Sequence, residues 1–298
     1  MVSIICGCAT NLGVPARPLP RNAVPQRIAV ASFENRSGFE GQWQIGSGMA
    51  DLLVSELVAS RNFVVLERGR LDSVVNEIRR QKHDMFRQEG RVDDGRLDNA
   101  RYLIRGVITD FSQTSGGSLW MTFRRVFIGS GGYTARVGLT LTIVDVESGV
   151  IIDSVQSAGR AKAGNAFVQA DYKGVRFGGK AFFKTPLGKA TTAAIRQGLH
   201  EIVRKMPRQH WQPMVADVID SGIIINGGRD RGMRNGHTFR VRGTGTLVTD
   251  PQTGDLLDVL PGGIIGSIEI AQVRDSSATA RIVEGSGFAR GQILERER

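Results

Sequence analysis

The sequence predicts an α+β fold in three parts: an α/β domain, two long amphipathic β-hairpins of the kind that wall a membrane β-barrel, and a small C-terminal all-β domain. Three observations carry this reading. Strand-like and helix-like periods take turns over residues 27–110; apolar and polar residues then alternate with a period of two through 111–184; and after Trp211 short β-branched runs are separated by glycine turns. At 298 residues with 41% apolar side chains, the chain has room for more than one core and does not have a disordered composition.

The chain begins with Cys6 and Cys8, its only cysteines, so neither a disulfide framework nor a cysteine metal site is expected in the body. Ile5-Cys6-Gly7-Cys8 has the form of a bacterial lipobox, in which an aliphatic and a small residue precede the cysteine that takes the lipid. Cys8 is therefore the lipidation candidate. A leader needs a charged start and a longer apolar stretch, so either the true start lies upstream of Met1 or the match is a chance one and not a signal. Residues 1–26 also hold Pro15, Pro18, Pro20 and Pro25 and read as an extended tether.

Residues 27–33 read as a buried strand and 46–60 as a helix with Met49, Leu52, Leu53 and Leu57 at helical spacing. Another strand at 63–66 leads into an amphipathic helix at 67–82, whose stripe is Leu71, Val74, Val75 and Ile78. A strand at 102–110 completes the α/β domain, residues 27–110. Extended segments follow at 111–123, 133–146, 151–168 and 172–184, pairing as two hairpins that turn at 129–132 and near 169–171. Glu147-Ser148-Gly149 makes the tight turn between them.

In these hairpins Leu119, Met121, Phe123, Val137, Leu139, Leu141, Ile143, Val175, Phe177 and Phe183 are expected to face lipid. Arg160, Lys162, Arg176, Lys180 and Lys184 are expected to face a water-filled interior. A soluble antiparallel sheet with one wet face is the alternative that alternation alone leaves open. Four strands fall short of the roughly eight that the smallest membrane barrels use, so such a wall needs several subunits.

Residues 185–211 hold a closing helix opened by Pro186 and ended by Pro207 and Pro213. The last part, 212–298, reads as a small SH3-like β-barrel with strands at 223–225, 237–241, 246–250, 263–273 and 277–283.

The formal charge of +10 is uneven: residues 111–211 carry fourteen Lys and Arg against five Asp and Glu. No zinc-finger spacing, RNP-like run or basic helix accompanies that charge, which argues against nucleic acid as a partner. An enzyme is not expected. His83, His200, His210 and His237 are dispersed, no metal-ligand spacing links them, and the helix start Gly46-Ser47-Gly48 is followed by no phosphate-binding lysine. No cofactor and no metal are expected.

Taken together, the lipobox at Cys8, residues 27–33 and 45–57, the run FVVLERGRLDSVVNE at 63–77 and residues 102–110 resemble the curli secretion channel family, CsgG, and its holdfast-anchor relative HfaB. The likeness covers about 27–206. Leu66-Glu67-Arg68, the run IVDVESG at 143–149 and the helix after Pro186 fall in the family's order.

This resemblance implies a periplasmic α/β domain, two hairpins per subunit donated to one shared outer-membrane barrel, and a homo-oligomeric ring of about nine subunits. It also implies a pore constriction at residues 35–44, with Phe39, Gln42 and Trp43 toward the lumen. For Phe39 and Trp43, packing against a neighbouring subunit is the alternative. The loop is shorter than in that family, and the chain continues past the family's last helices. That extension resembles the small β domains of flagellar outer-membrane ring proteins and is expected to dock a periplasmic accessory protein or peptidoglycan.

The expected function is an outer-membrane, lipid-anchored channel through which secreted adhesin or amyloid subunits pass by diffusion or at which they are anchored. The alternative is a soluble periplasmic lipoprotein, a scaffold or activator of envelope synthesis or of a flagellar ring.

Overall fold

The computed structural model of the chain describes residues 23–93, 95–115, 133–163 and 174–297. Cys8, most of the tether, the first hairpin turn and the lipid-facing candidates Leu119, Met121 and Phe123 lie outside the described residues. The chain divides into two compact units. One contains Pro25–Arg208; the other contains Gln209–Arg298 and takes in Pro20–Val24.

In the first unit, strand β1 (Gln26–Val30) lies parallel to both β2 (Phe63–Leu66) and β3 (Tyr102–Ser115). Beyond β3 the sheet turns antiparallel through β4 (Tyr133–Asp145) and β5 (Ile151–Ala163), giving the order β2-β1-β3-β4-β5. A two-residue strand, Glu34–Asn35, adds to β3 in parallel. Helices α1 (Ile45–Ser60) and α2 (Leu71–Gln81) are the crossovers of the parallel half. A short α3 (Lys180–Lys184) precedes α4 (Pro186–Lys205).

The sequence explains this layout locally. In α1, Ile45, Met49, Leu53 and Leu57 recur every four residues and are all buried. Helix α4 starts sharply because Thr185 Oγ1 accepts the Gly188 amide at 3.0 Å and Pro186 occupies the first turn, where its missing N–H costs nothing. Both helices contribute to a single core with one face of the sheet: Ile104 and Ile108 from β3, and Val137, Leu139, Leu141 and Ile143 from β4.

That core corrects the lipid-facing assignment. Val137, Leu139, Leu141 and Ile143 are at most 1% exposed and lie beneath a helix, whereas Arg136, Gly138, Thr140 and Thr142 occupy the wetter face. Fully burying each such side chain contributes about 1.5–3 kcal/mol, so turning the set toward lipid would strip the unit of a large share of its core. The alternation is that of a half-covered sheet.

The fourth extended segment is also corrected. Residues 174–179 form turns, with Gly174 and Gly178 at φ +79° and +73°, and 180–184 are helical. Alternation through 175–183 already breaks at Gly179, where the pattern requires an apolar residue. Consequently Val175 and Phe177 pack against the core, Phe182 is fully buried, and Phe183 is partly exposed on the helix. Among the described residues, β5 pairs only with β4 and forms the sheet edge. Nor do residues 111–184 form a part of their own, because β3 runs unbroken across residues 110 and 111 with one bulge between Ile108 and Asp110.

The β4–β5 turn is set by Asp145, whose Oδ1 accepts the amides of Glu147 at 2.9 Å and Ser148 at 3.2 Å, while Oδ2 accepts from Arg101 at 2.7 Å. Gly149 follows at φ +73°.

The second unit is antiparallel. Its strands are β6 (Val215–Ile219), β7 (Gly222–Ile225), β8 (Thr238–Arg242), β9 (Thr246–Thr249), β10 (Leu256–Leu260), β11 (Ile264–Val273), β12 (Ala278–Gly285) and β13 (Leu294–Arg296). Six of them form a sheet in the order β13-β8-β11-β12-β7-β6. A bridge between Met214 and Ile293, reinforced by the Val215 amide donating to the Gln292 carbonyl at 2.9 Å, brings the two edges together. Inside sit Ile223, Ile225, Phe239, Val241, Ile268 and Ile270. Strands β9 and β10 pair only with each other, as a separate hairpin.

Candidate functional site at one end of the sheet

Three strand ends lie level in the first unit. Ser115 pairs with Tyr133, and Tyr133 pairs with Ala163, so the chain leaves β3, returns into β4 and leaves β5 at one end of the sheet. Residues 116–132 and 164–173, the two stretches outside the description, therefore both depart from this end.

Just inside it lies an aromatic cluster. The Trp43 ring is 6.0 Å from Phe39, 6.3 Å from Phe111, 5.9 Å from Phe177 and 5.3 Å from Phe182, centroid to centroid, with three of these four pairs edge-on. Trp43 Nε1 donates to the Val175 carbonyl at 2.7 Å, tying the loop before α1 to the stretch that returns after residue 173. The loop itself is fixed by short polar links: Asn35 Nδ2 donates to the Phe39 carbonyl, and Ser37 donates through its amide and hydroxyl to Asn35 Oδ1.

Of the three constriction candidates, Trp43 is thus a buried core residue and Phe39 is half-buried against it, while Gln42 is exposed. A loop this short gives Trp43 an apolar neighbourhood within its own subunit, and its indole finds both ring partners and a carbonyl there. This corrects the assignment of Trp43 and Phe39 to a lumen. The packing partners are those of the same subunit and not of a neighbouring one.

Outside the cluster the same end is basic. Arg160, Lys162, Arg176, Lys180 and Lys184 are all exposed, and Arg136 joins them. Arg136 and Arg160 are direct cross-strand neighbours, and Thr134 opposes Lys162. Like charges set opposite one another destabilise a sheet. Among the described residues none of these six cations has an ion-pair partner, and Arg136, Arg160 and Lys162 make the open face at the strand ends attractive to anions. Arg160 and Lys162 project from the open face of the sheet, whereas Arg176, Lys180 and Lys184 follow the segment that packs Val175, Phe177 and Phe182 on the covered face, so the five cations named from the sequence do not form one lining.

Sequence reasoning missed Phe111 and Phe182 as members of the aromatic cluster. Phe182 offered a signal, the Gly178-Gly179 pair that resets the period before it. Phe111 offered none, because the bulge at Ile108 shifts its face. Among the described residues no group of three or more His, Cys, Asp or Glu is disposed to hold a metal ion, and no helix is long and apolar enough to cross a membrane.

Residues 14–224 match the family described as curli production assembly/transport component CsgG. The chain is also similar to NMB1126/NMB1164 of Neisseria meningitidis serogroup B, a protein named as a lipoprotein, at 27% identity over 228 residues, covering 70% of this chain and 92% of that one. Among solved structures it is similar to CT253 of Chlamydia trachomatis, with a TM-score of 0.41 and 13% identity over 61% of this chain and 98% of that one. It is similar as well to the PelC dodecamer of Paraburkholderia phytofirmans, with a TM-score of 0.30 and 18% identity over 62% of this chain and 92% of that one.

Proposed function

Because this chain belongs to the CsgG family, we propose that it is a lipid-anchored envelope subunit that associates with copies of itself and serves, without catalysis, the passage or anchoring of secreted adhesin or amyloid subunits. Lipid at Cys8 tethers it to the outer membrane, and the folded units stand in the periplasm. The observation that carries this reading is the level set of strand ends at Ser115, Tyr133 and Ala163, which directs both intervening stretches, and a basic surface, toward one side.

The two stretches are unequal. Between the buried anchors Phe111 and Ala135, residues 112–134 number twenty-three and include Leu119, Trp120, Met121, Phe123, Val126, Phe127 and Ile128. A spanning hairpin needs two strands of about 9–11 residues each plus a turn, which this length permits. The other stretch is pinned by Gly159, packed on α4, and by Val175, held through Trp43. Only the fifteen residues 160–174 separate those anchors, too few for two spanning strands. Each subunit accordingly has one stretch long enough to offer the bilayer, and Arg136, Arg160 and Lys162 at its base meet anionic headgroups.

The brevity of 160–174 favours a second reading, an envelope scaffold that touches the membrane without opening it. Planar-bilayer recording on the lipid-reconstituted full chain separates the two. Passage predicts stepwise conductance that disappears on deletion of residues 116–132. A chain that binds the bilayer and self-associates with no conductance is a scaffold.

A further inference from the structure

The hairpin β9–β10 in the second unit is the feature the family does not account for, since the match ends at residue 224. It stands clear of the barrel core on both faces. Leu247, Val259 and, across a bulge at Leu257, Leu256 share one face and Leu260 lies on the other with Asp258, and all five apolar residues are exposed, Leu247 at 66%. A two-stranded ribbon is marginal in water by itself, and apolar side chains on both its faces make it a surface built for cover. The ribbon is nevertheless well formed at its tip, where Asp250 Oδ1 accepts the Gln252 and Thr253 amides and Gly254 takes φ +76°.

Its charge says what covers it. In a chain of net charge +10, residues 246–260 carry Asp250, Asp255 and Asp258 and no Lys or Arg. None of these carboxylates forms an ion pair among the described residues. The first unit offers the complement. At the end of α2, a shallow depression of ≈ 460 Å³ is lined by Asn76, Arg79, Arg80, His83, Met85 and Phe86. Met85 is 84% exposed and Phe86 is exposed beside it, while Arg79 and Arg80 have no ion-pair partner among the described residues. The depression is held in shape by Arg91, whose Nη2 donates to the carbonyls of His83 and Phe86.

We propose that the hairpin β9–β10 is an arm that docks into the depression at the end of α2 on a second copy of this chain, with Asp258 meeting Arg79 and Arg80 and the leucines covering Met85 and Phe86. The contact extends the self-association proposed above and is independent of any role in the membrane. Apolar side chains supply the affinity, and the opposed charges supply the register and exclude arm-to-arm pairing, in which three carboxylates would face three.

The test uses the full chain with a photoreactive benzoylphenylalanine at position 257, mixed with an isotope-labelled copy so that adducts between chains are distinguished by mass. The expected adduct joins position 257 of one copy to residues 76–92 of the other. Asp258→Arg lowers its yield about tenfold, and Arg80→Asp in the same chain restores most of it, as a like-charge clash followed by its reversal requires. Leu257 and Asp258 are exposed, so these changes leave the core untouched. Adducts confined to one chain, adducts on lipid or on another protein, a yield unmoved by the charge exchange, or no adduct at all would each overturn the arm. Self-association that persists without the adduct would leave the envelope-subunit reading standing.

Discussion

At the scale of single residues, the sharpest distinction is Trp43. A lumen-facing tryptophan can be truncated with little effect on folding, whereas Trp43 is enclosed by Phe39, Phe111, Phe177 and Phe182 and donates to the Val175 carbonyl. Trp43→Ala is therefore expected to lower unfolding stability by roughly 3–5 kcal/mol, measured by urea denaturation. A loss within experimental error would return the residue to the lumen.

Protonation supplies a second residue-scale expectation, in the second unit. Burial, then the Arg296 and Arg234 charges, hold His237 below its ordinary value of 6.5. Hydrogen bonding to Arg242 and Arg240 holds the carboxyls of Glu295 and Glu297 below the ordinary range. A depressed histidine contributes full stability above its unfolded value and loses it as pH falls through 6.5 toward the folded value. A depressed carboxylate keeps its contribution until pH falls below 4.5 and through its own folded value. The melting temperature of this unit should thus decline in two stages on acidification, and Glu295→Gln should remove part of the later one.

At the scale of elements, the strands show what was legible and why the rest was not. Helices α1 and α4 could be read because Met49, Leu53 and Leu57 keep one face and Pro186 announces a start. The period of two in β4 was equally plain, but a period says only that one face is apolar and is silent on whether lipid or a helix covers it. The deciding residue is Gly159 in β5. A Cβ there would sit 1.8 Å from the Ala190 carbonyl oxygen and 2.7 Å from the Ala194 amide, so α4 lies directly on the strand. That contact joins residues thirty-one positions apart, and no local pattern encodes it. Gly159→Val should cost roughly 3 kcal/mol by overpacking, while Ala158→Val on the exposed face should stay within about 0.5 kcal/mol, both by thermal melting. If β5 were barrel wall, neither side would show such asymmetry.

At the scale of the whole molecule, the helix-covered sheet leaves little of the first unit for the membrane contact proposed above. The sheet that the sequence offered as barrel wall is the antiparallel half of an α/β core, continuous with β3 and roofed by α4. For the bilayer contact proposed above this leaves a lipid at Cys8, residues 112–134 and a basic rim. Part of the net charge gathered in 111–211 takes on a local meaning in this arrangement, since Arg136, Arg160 and Lys162 lie on the open face beside the strand ends from which both stretches depart. The measurement that tests this division most directly is photolabelling of the reconstituted full chain with a lipid bearing a diazirine in its acyl tail, with adducts mapped by mass spectrometry. The account predicts label within residues 112–134 and none on Val137, Leu139, Leu141 or Ile143; label on those four would show that they face lipid and would contradict it.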